Sequence, residues 1–193
     1  MQGLYALKPW YTRRLGGVVD AAVARGISPD AFTVVGIAGA VCAGGAVAMG
    51  WWPPALVFLA VRLAGANLDG AVARARGVSR PWGFVLNEIG DRVSDLLVFA
   101  GLAVWALRTD GSLTWVLVAT IAATLPTFAS LAAAGAGATR RNGGPFGKTE
   151  RCLAIVIATA LPATLAYVCA VIVAGSLLTA TTRFVATHRE LSA

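Results

Sequence analysis

The chain has 193 residues, of which 58% are hydrophobic and only 13% charged, with a net charge of +7. That is about half the charge share of an ordinary soluble domain, which excludes a water-soluble globular enzyme and points to a helical membrane protein. The excess of basic residues comes without any DNA- or RNA-binding motif, so nucleic acid is excluded as a partner, and the length suits one folded module over residues 1–193.

In chain order, the first 25 residues lack the long apolar run of a signal peptide. Trp10 to Ala24 reads as an amphipathic helix: Tyr11, Leu15, Val18, Val19 and Ala22 recur at helical spacing, Arg13 and Arg14 lie off that stripe, Pro9 suits its start and Gly26 its end. It is too polar to span, so residues 1–27 are expected to lie along the membrane surface. Ser28-Pro29-Asp30 is a helix start, with a capping hydroxyl before a proline in the first turn. Spans are then expected at about residues 31–49, 55–75, 83–107 and 113–134, each near the ~20 residues that cross a bilayer core. Gly36, Ala40, Gly44 and Ala48 form a small-residue stripe on the first of them, suited to close helix packing. Gly135 to Lys148 is a polar, glycine-rich loop. The apolar stretch Thr149 to Val185 contains Pro162, which is expected to break it into two helices; one long kinked helix is the alternative. The expected fold is therefore all-α: a polytopic six-helix bundle over residues 31–187, preceded by the surface helix.

Six spans put both termini on one side. With that topology 14 of the 16 basic residues fall on the same side, Arg108 falls on the other and Arg62 lies within a span. The positive-inside rule makes the crowded side cytoplasmic, and Trp51, Trp52, Trp105 and Trp115 then gather at the outer interface as an aromatic belt. Cys42, Cys152 and Cys169 lie in apolar stretches without CxxC spacing and read as small buried hydrophobes; His188 reads as an exposed residue. Gly143 to Thr149 has the look of a phosphate loop, but the first glycine of that motif falls on Asn142 and no strand precedes it, so the nucleotide-fold reading is rejected.

The chemistry is concentrated between Ala66 and Arg92. Gly83, Asn87, Asp91 and Asp95 are four residues apart and share one helix face. Ala66, Asp69 and Ala73 share a face of the preceding helix, with Gly70 beside them. Carboxylates inside such apolar helices are costly and mark a site. Both faces lie near the cytoplasmic ends of their helices, where Gly70, Ala73 and Gly83 leave room for a ligand.

This run, Asp69-Gly70, Ala73-Arg74, Gly83, Asn87 and Asp91, resembles the signature of the CDP-alcohol phosphotransferases, with Ala66 and Asn87 standing where that family has two further aspartates. The resemblance implies a membrane enzyme that transfers a phosphatidyl or similar phosphoryl group from a CDP-linked donor, such as CDP-diacylglycerol, to an alcohol, releasing CMP in phospholipid biosynthesis. It implies Asp91 as catalytic base, Asp69 and Asp91 as ligands of Mg²⁺ or Mn²⁺, and Gly70, Ala73, Arg74 and Gly83 around the CDP moiety. Asn87 keeps an amide oxygen as an uncharged ligand, whereas Ala66 offers none. The matching positions supply two negative charges where four would balance two divalent ions. Either one ion is held, or Asp95, Glu88 and Asn67 complete the set, with Asp95 best in line. Arg62, in mid-span, is expected to meet either a structural anion or a ligand. Arg140, Arg141, Lys148 and Arg151 gather cations at the membrane surface, for anionic lipid or for an anionic acceptor. The expected partners are a CDP-linked lipid donor, an alcohol acceptor and membrane lipids, with a homodimer left open. The rival readings are a family member that binds nucleotide or lipid without turnover, and a small transporter.

Overall fold

The computed structural model describes Trp10 and residues 13–192. Among the described residues every regular element is helical: α1 Gly16–Ala24, α2 Pro29–Ala48, α3 Trp52–Ala75, α4 Pro81–Arg108, α5 Leu113–Gly135, α6 Lys148–Ala160, a 3-10 turn Pro162–Thr164 and α7 Leu165–Leu191. Among the described residues four segments are long and apolar enough to cross a membrane: α2, α3, α5, and the 3-10 turn together with α7. Their outward faces carry large apolar side chains, such as Val57, Ile121, Phe128 and Tyr167, each 60% or more exposed. Aliphatic faces of that extent have no place in water, and the protein is an integral membrane protein. α4 has 28 residues but carries Glu88, Asp91, Arg92 and Asp95 in its first half. α6, at 13 residues, is shorter than the ~20 that a bilayer core requires.

The element boundaries follow from local chemistry. Within the expected Trp10 to Ala24, Trp10, Arg13 and Arg14 are helical, the chain turns at Leu15, and α1 follows from Gly16. Val18 is exposed while Ala22 is its one buried residue; Pro9 and Tyr11 lie outside the described residues. α1 ends where Gly26 takes φ +65, a left-handed conformation that only glycine adopts freely. Ser28 caps α2, its hydroxyl accepting from the Asp30 backbone N–H at 3.3 Å, with Pro29 in the first turn. α3 begins at Trp52, earlier than Ala55, since Pro53 and Pro54 are compatible with a first turn that makes no N–H bonds. Near Pro162 the chain breaks as expected: α6 ends at Ala160, and α7 starts after the 3-10 turn.

The described residues up to Trp105 form one compact unit and those from Ala106 onward a second. In the first unit, α2 packs along α3 on glycines. A Cβ on Gly65 would lie 2.6 Å from the Phe32 carbonyl and 2.7 Å from the Gly36 Cα, and one on Gly44 would lie 2.6 Å from the Leu97 carbonyl. The Gly36–Ala40–Gly44 stripe is thus the seam against α3 and α4, while Ala48 is only half-buried. Gly50, at φ +73, turns the chain beneath the Trp105 ring. In the second unit, α5 packs on α7. Pro126 sits inside α5, where its own carbonyl accepts from Arg183 Nη1 at 2.6 Å and from the Ser130 hydroxyl at 3.0 Å. Cys152 and Cys169 are buried as expected, but Cys42 is exposed on the outward side of α2. His188 is exposed.

Candidate active site

Three helices of the first unit bring the signature together. A small pocket is lined by Thr33, Gly36 and Ile37 from α2, Arg62, Ala66 and Asp69 from α3, and Asn87, Gly90, Asp91 and Ser94 from α4. It exists because the helices approach on glycine: a Cβ on Gly90 would meet the Thr33 methyl at 3.1 Å and Ile37 at 3.3 Å. The i, i+4 register of α4 places Asn87 and Asp91 on one wall, and α3 places Ala66 and Asp69 on the other.

Asp69 is the most constrained side chain of the pocket. It is 6% exposed. Its Oδ2 accepts from the Thr33 hydroxyl at 3.0 Å and from the Asn87 amide, and its Oδ1 accepts from the Gly70 backbone N–H at 2.5 Å. A buried carboxylate met by three donors has a fixed rotamer. Asn87 therefore faces Asp69 through its N–H₂ group, so the amide that stands in an aspartate position hydrogen-bonds to the neighbouring carboxylate rather than repelling it.

Asp95, one turn beyond Asp91, is drawn elsewhere. It ion-pairs with Arg62 through Oδ1 and with Arg92 through Oδ2, the latter at 2.8 Å. The structural anion expected for Arg62 is thus Asp95, and the guanidinium is 1% exposed while still lining the pocket. Asn67 turns away, donating to the Leu63 carbonyl of its own helix at 2.8 Å. Among the described residues no three His, Cys, Asp or Glu side chains come together to hold a metal. The oxygen set at the pocket is Asp69 and Asp91, with Asn87, Thr33 and Ser94 beside them.

Arg74 is exposed on the last turn of α3, with Gly70, Ala73 and Gly83 partly exposed. A Cβ on Gly70 would lie 3.2 Å from Arg74 Nη1, so the guanidinium lies over the bare Gly70 backbone.

The basic residues of the glycine-rich loop and α6 are held within the second unit. Glu190 pairs with Arg141 at 2.6 Å and accepts from the Thr139 N–H and hydroxyl at 2.7 and 2.6 Å. Arg183, 8% exposed, donates to the Gly143 and Asn142 carbonyls at 3.0 and 2.7 Å. Thr179 brackets the Phe146 backbone at both N–H and carbonyl. The loop is thereby fastened to α7, with Arg140 and Lys148 half-buried and Arg151 buried in the first turn of α6.

Sequence reasoning missed Thr33, Ser94 and the clamp made by Arg183. Thr33 is a lone polar residue early in an apolar span, and Ser94 lies one turn after Asp91; both carry a spacing signal. Nothing in the sequence links Arg183 to a loop some 40 residues earlier.

Three comparisons bear on this geometry. A family model described as CDP-alcohol phosphatidyltransferase matches residues 26–181. A phosphatidylinositol phosphate synthase of Mycobacteroides abscessus is 35% identical over 83% of this chain and 74% of its own length. Another, from Mycolicibacterium smegmatis, is 32% identical over 78% of this chain and 69% of its own. The fold is that of the phosphatidylinositol phosphate synthase of Mycobacterium tuberculosis. Its crystal structure with CDP-DAG bound superposes with a TM-score of 0.75 at 23% identity, covering 91% of this chain and 94% of that one. Its complex with manganese and citrate gives 0.74 at 22%, covering 89% and 88%. Matched over most of its length in sequence and in fold, the chain belongs to the CDP-alcohol phosphatidyltransferase family, enzymes of phospholipid biosynthesis that transfer a phosphatidyl group from a CDP-linked donor to an alcohol and release CMP.

Proposed function

We propose that this chain joins the phosphatidyl group of CDP-diacylglycerol to a phosphorylated inositol, giving a phosphatidylinositol phosphate and CMP. The observation that carries this reading is the pocket in which Asp69, Asn87 and Asp91 converge, in a chain 35% identical to a phosphatidylinositol phosphate synthase. A donor-bound crystal structure shares the fold.

In this reading Asp91 takes the proton from the attacking hydroxyl as its oxygen meets phosphorus, and CMP leaves. Asp91 suits the task because it lines the pocket beside Asp69. Gly70, Ala73 and Gly83 admit the cytidine, and Arg74 lies beside bare backbone to meet phosphate. The donor set, two carboxylates and a carboxamide, suits a hard divalent cation, Mg²⁺ or Mn²⁺. Asp69, Asp91 and the Asn87 oxygen are the groups that would hold it. When bound, such an ion neutralises the diphosphate and stabilises CMP as leaving group. Arg140, Arg141, Lys148 and Arg151 form the seat for the anionic acceptor, a reading supported by the gathering of four cations on one loop and the adjoining turn of α6.

The topology belongs to the same proposal. The six helices α2 to α7 are read as six spans, with α6 the short one, α1 on the membrane surface, and both termini and the pocket cytoplasmic. The single-domain organisation is supported by one family model running across both units.

The deciding experiment incubates the purified full chain in detergent with CDP-diacylglycerol, Mg²⁺ or Mn²⁺, and a panel of inositol phosphate, inositol, glycerol phosphate and serine, with CMP release as readout. Release with inositol phosphate above the others is expected. Release with another acceptor alone overturns the substrate assignment, and no release with any of them overturns the transferase reading.

A further inference from the structure

The pocket contains a cation of its own. Arg62 is 1% exposed and lines the same cavity as Asp69 and Asp91. It lies one helical turn before Ala66 on α3, so its side chain and the Ala66 methyl share a face. Its charge is met by Asp95, which Arg92 also contacts, whereas the Asp69 oxygens are met by Thr33, Asn87 and Gly70. We propose that Arg62 is a fixed positive charge of the active site, doing electrostatically what a second divalent ion would do, and that this chain works with one divalent ion. The inference rests on the transferase reading above, and it concerns only how that site is charged.

Charge and geometry both favour it. Asp69, Asp91 and Asp95 set against Arg62 and Arg92 leave one net negative charge in the cluster. One divalent ion turns that to one positive, a fit for an anionic diphosphate; a second would raise it to three in a desolvated site where like charges are poorly screened. The position that would add a carboxylate to the wall beside Arg62 is Ala66, which has no ligand atom in its side chain. The position that would add one beside Asp69 is Asn87, whose amide already donates to Asp69. Both departures from a fully acidic site thus fall where a resident guanidinium and a hydrogen-bonded carboxylate make further negative charge unnecessary. Arg62 is a positioning residue for charge, anchored by Asp95.

The test is a count of ions rather than an activity. The purified full chain in detergent is titrated with Mn²⁺, and free Mn²⁺ is followed by electron paramagnetic resonance. One bound ion per chain is expected, lost when Asp69→Asn and Asp91→Asn are combined; two ions in the parent overturn the proposal. The Ala66→Asp variant, whose cluster carries two net negative charges, is expected still to bind one ion, about tenfold or more tighter because the ligand set has gained charge; a second ion would leave two positive charges there. Adding Arg62→Met to that variant brings the cluster to three net negative charges and is expected to admit a second ion, whereas Arg62→Lys, which keeps the charge, leaves the count at one. A second ion in the presence of Arg62, or a folded Ala66→Asp, Arg62→Met variant that stays at one, refutes the role given to Arg62. If the Met variant does not fold, the counts in the parent and in the Ala66→Asp variant still decide. CMP release is scored separately: two ions with release removes this inference alone, and one ion without release removes the transferase reading alone.

Discussion

At the scale of single residues, the site depends on how each carboxylate is partnered. Asp69 is held by three donors and Asp95 by two guanidinia, and Asp91, which lines the pocket, is the carboxylate proposed for proton transfer. Asp91→Asn is expected to lower CMP release by about 10²–10⁴-fold, the usual worth of a general base, with an unchanged melting temperature in detergent; wild-type turnover removes Asp91 from the mechanism. Gly70→Leu is expected to fill the space beside Arg74, where even a Cβ would come within 3.2 Å of the guanidinium, and to weaken binding of a CDP compound. Arg74→Ala is expected to weaken it through the lost phosphate contact. Equilibrium binding of CDP checks both, and parental affinity in both variants puts the nucleotide pocket elsewhere. Arg62→Ala is a stability change: it leaves Asp95 with Arg92 alone and is expected to cost about 1.5–3 kcal/mol, the usual worth of a hydrogen bond to a charged group, read as a fall in melting temperature.

At the scale of elements, glycine sets where helices cross and arginine sets where the loop lies. Gly65 touches the Gly36 backbone, while Gly45 on the same helix pair has nothing within 4 Å. Gly65→Leu is therefore expected to cost about 1–3 kcal/mol or more through overpacking, with Gly45→Leu near neutral; thermal melts of the two variants side by side measure the contrast. The polar loop is tied down chiefly by Arg183, which reaches two loop carbonyls, the Pro126 carbonyl and the Ser130 hydroxyl. Arg183→Met removes four donated hydrogen bonds at once, those to the Asn142 and Gly143 carbonyls among them. Tryptic cleavage after Arg140 and Arg141 is expected to speed up several-fold in native protein, and an unchanged cleavage rate shows that the loop is held by Glu190 and Thr179 instead.

At the scale of the whole molecule, the claim to be tested is sidedness. On the proposed six-span topology the basic residues cluster in loops on one face, which the positive-inside rule would make cytoplasmic. Single cysteines introduced into a background lacking Cys42, Cys152 and Cys169 report it directly. In intact cells, a membrane-impermeant thiol reagent is expected to label position 110, between α4 and α5, and to miss positions 79 and 143 until the cells are opened. Labelling of position 79 from outside inverts the topology and puts the pocket on the wrong side for a cytoplasmic nucleotide donor.

The helical membrane class and most of the elements are legible in the residues alone. Apolar length gave the long helices; Ser28-Pro29, Gly26 and Pro162 set boundaries because caps, left-handed turns and missing N–H groups act locally. The signature spacing put Asn87, Asp91 and Asp95 on one face, as helical periodicity requires. The N-terminal stripe is the least legible part: helical residues stand on both sides of a turn at Leu15, and an apolar stripe does not say what will cover it. Which carboxylate goes with which partner depends on how the helices cross. Asp95 and Asp91 are equivalent by spacing, and it is the crossing of α3 over α4, allowed by close glycine contacts with α2, that gives Asp95 to Arg62 and leaves Asp91 on the pocket. Thr33 joined Asp69, and Arg183 joined its loop, across 36 and about 40 residues of chain, because contacts of that range depend on how helices pack and not on any local pattern.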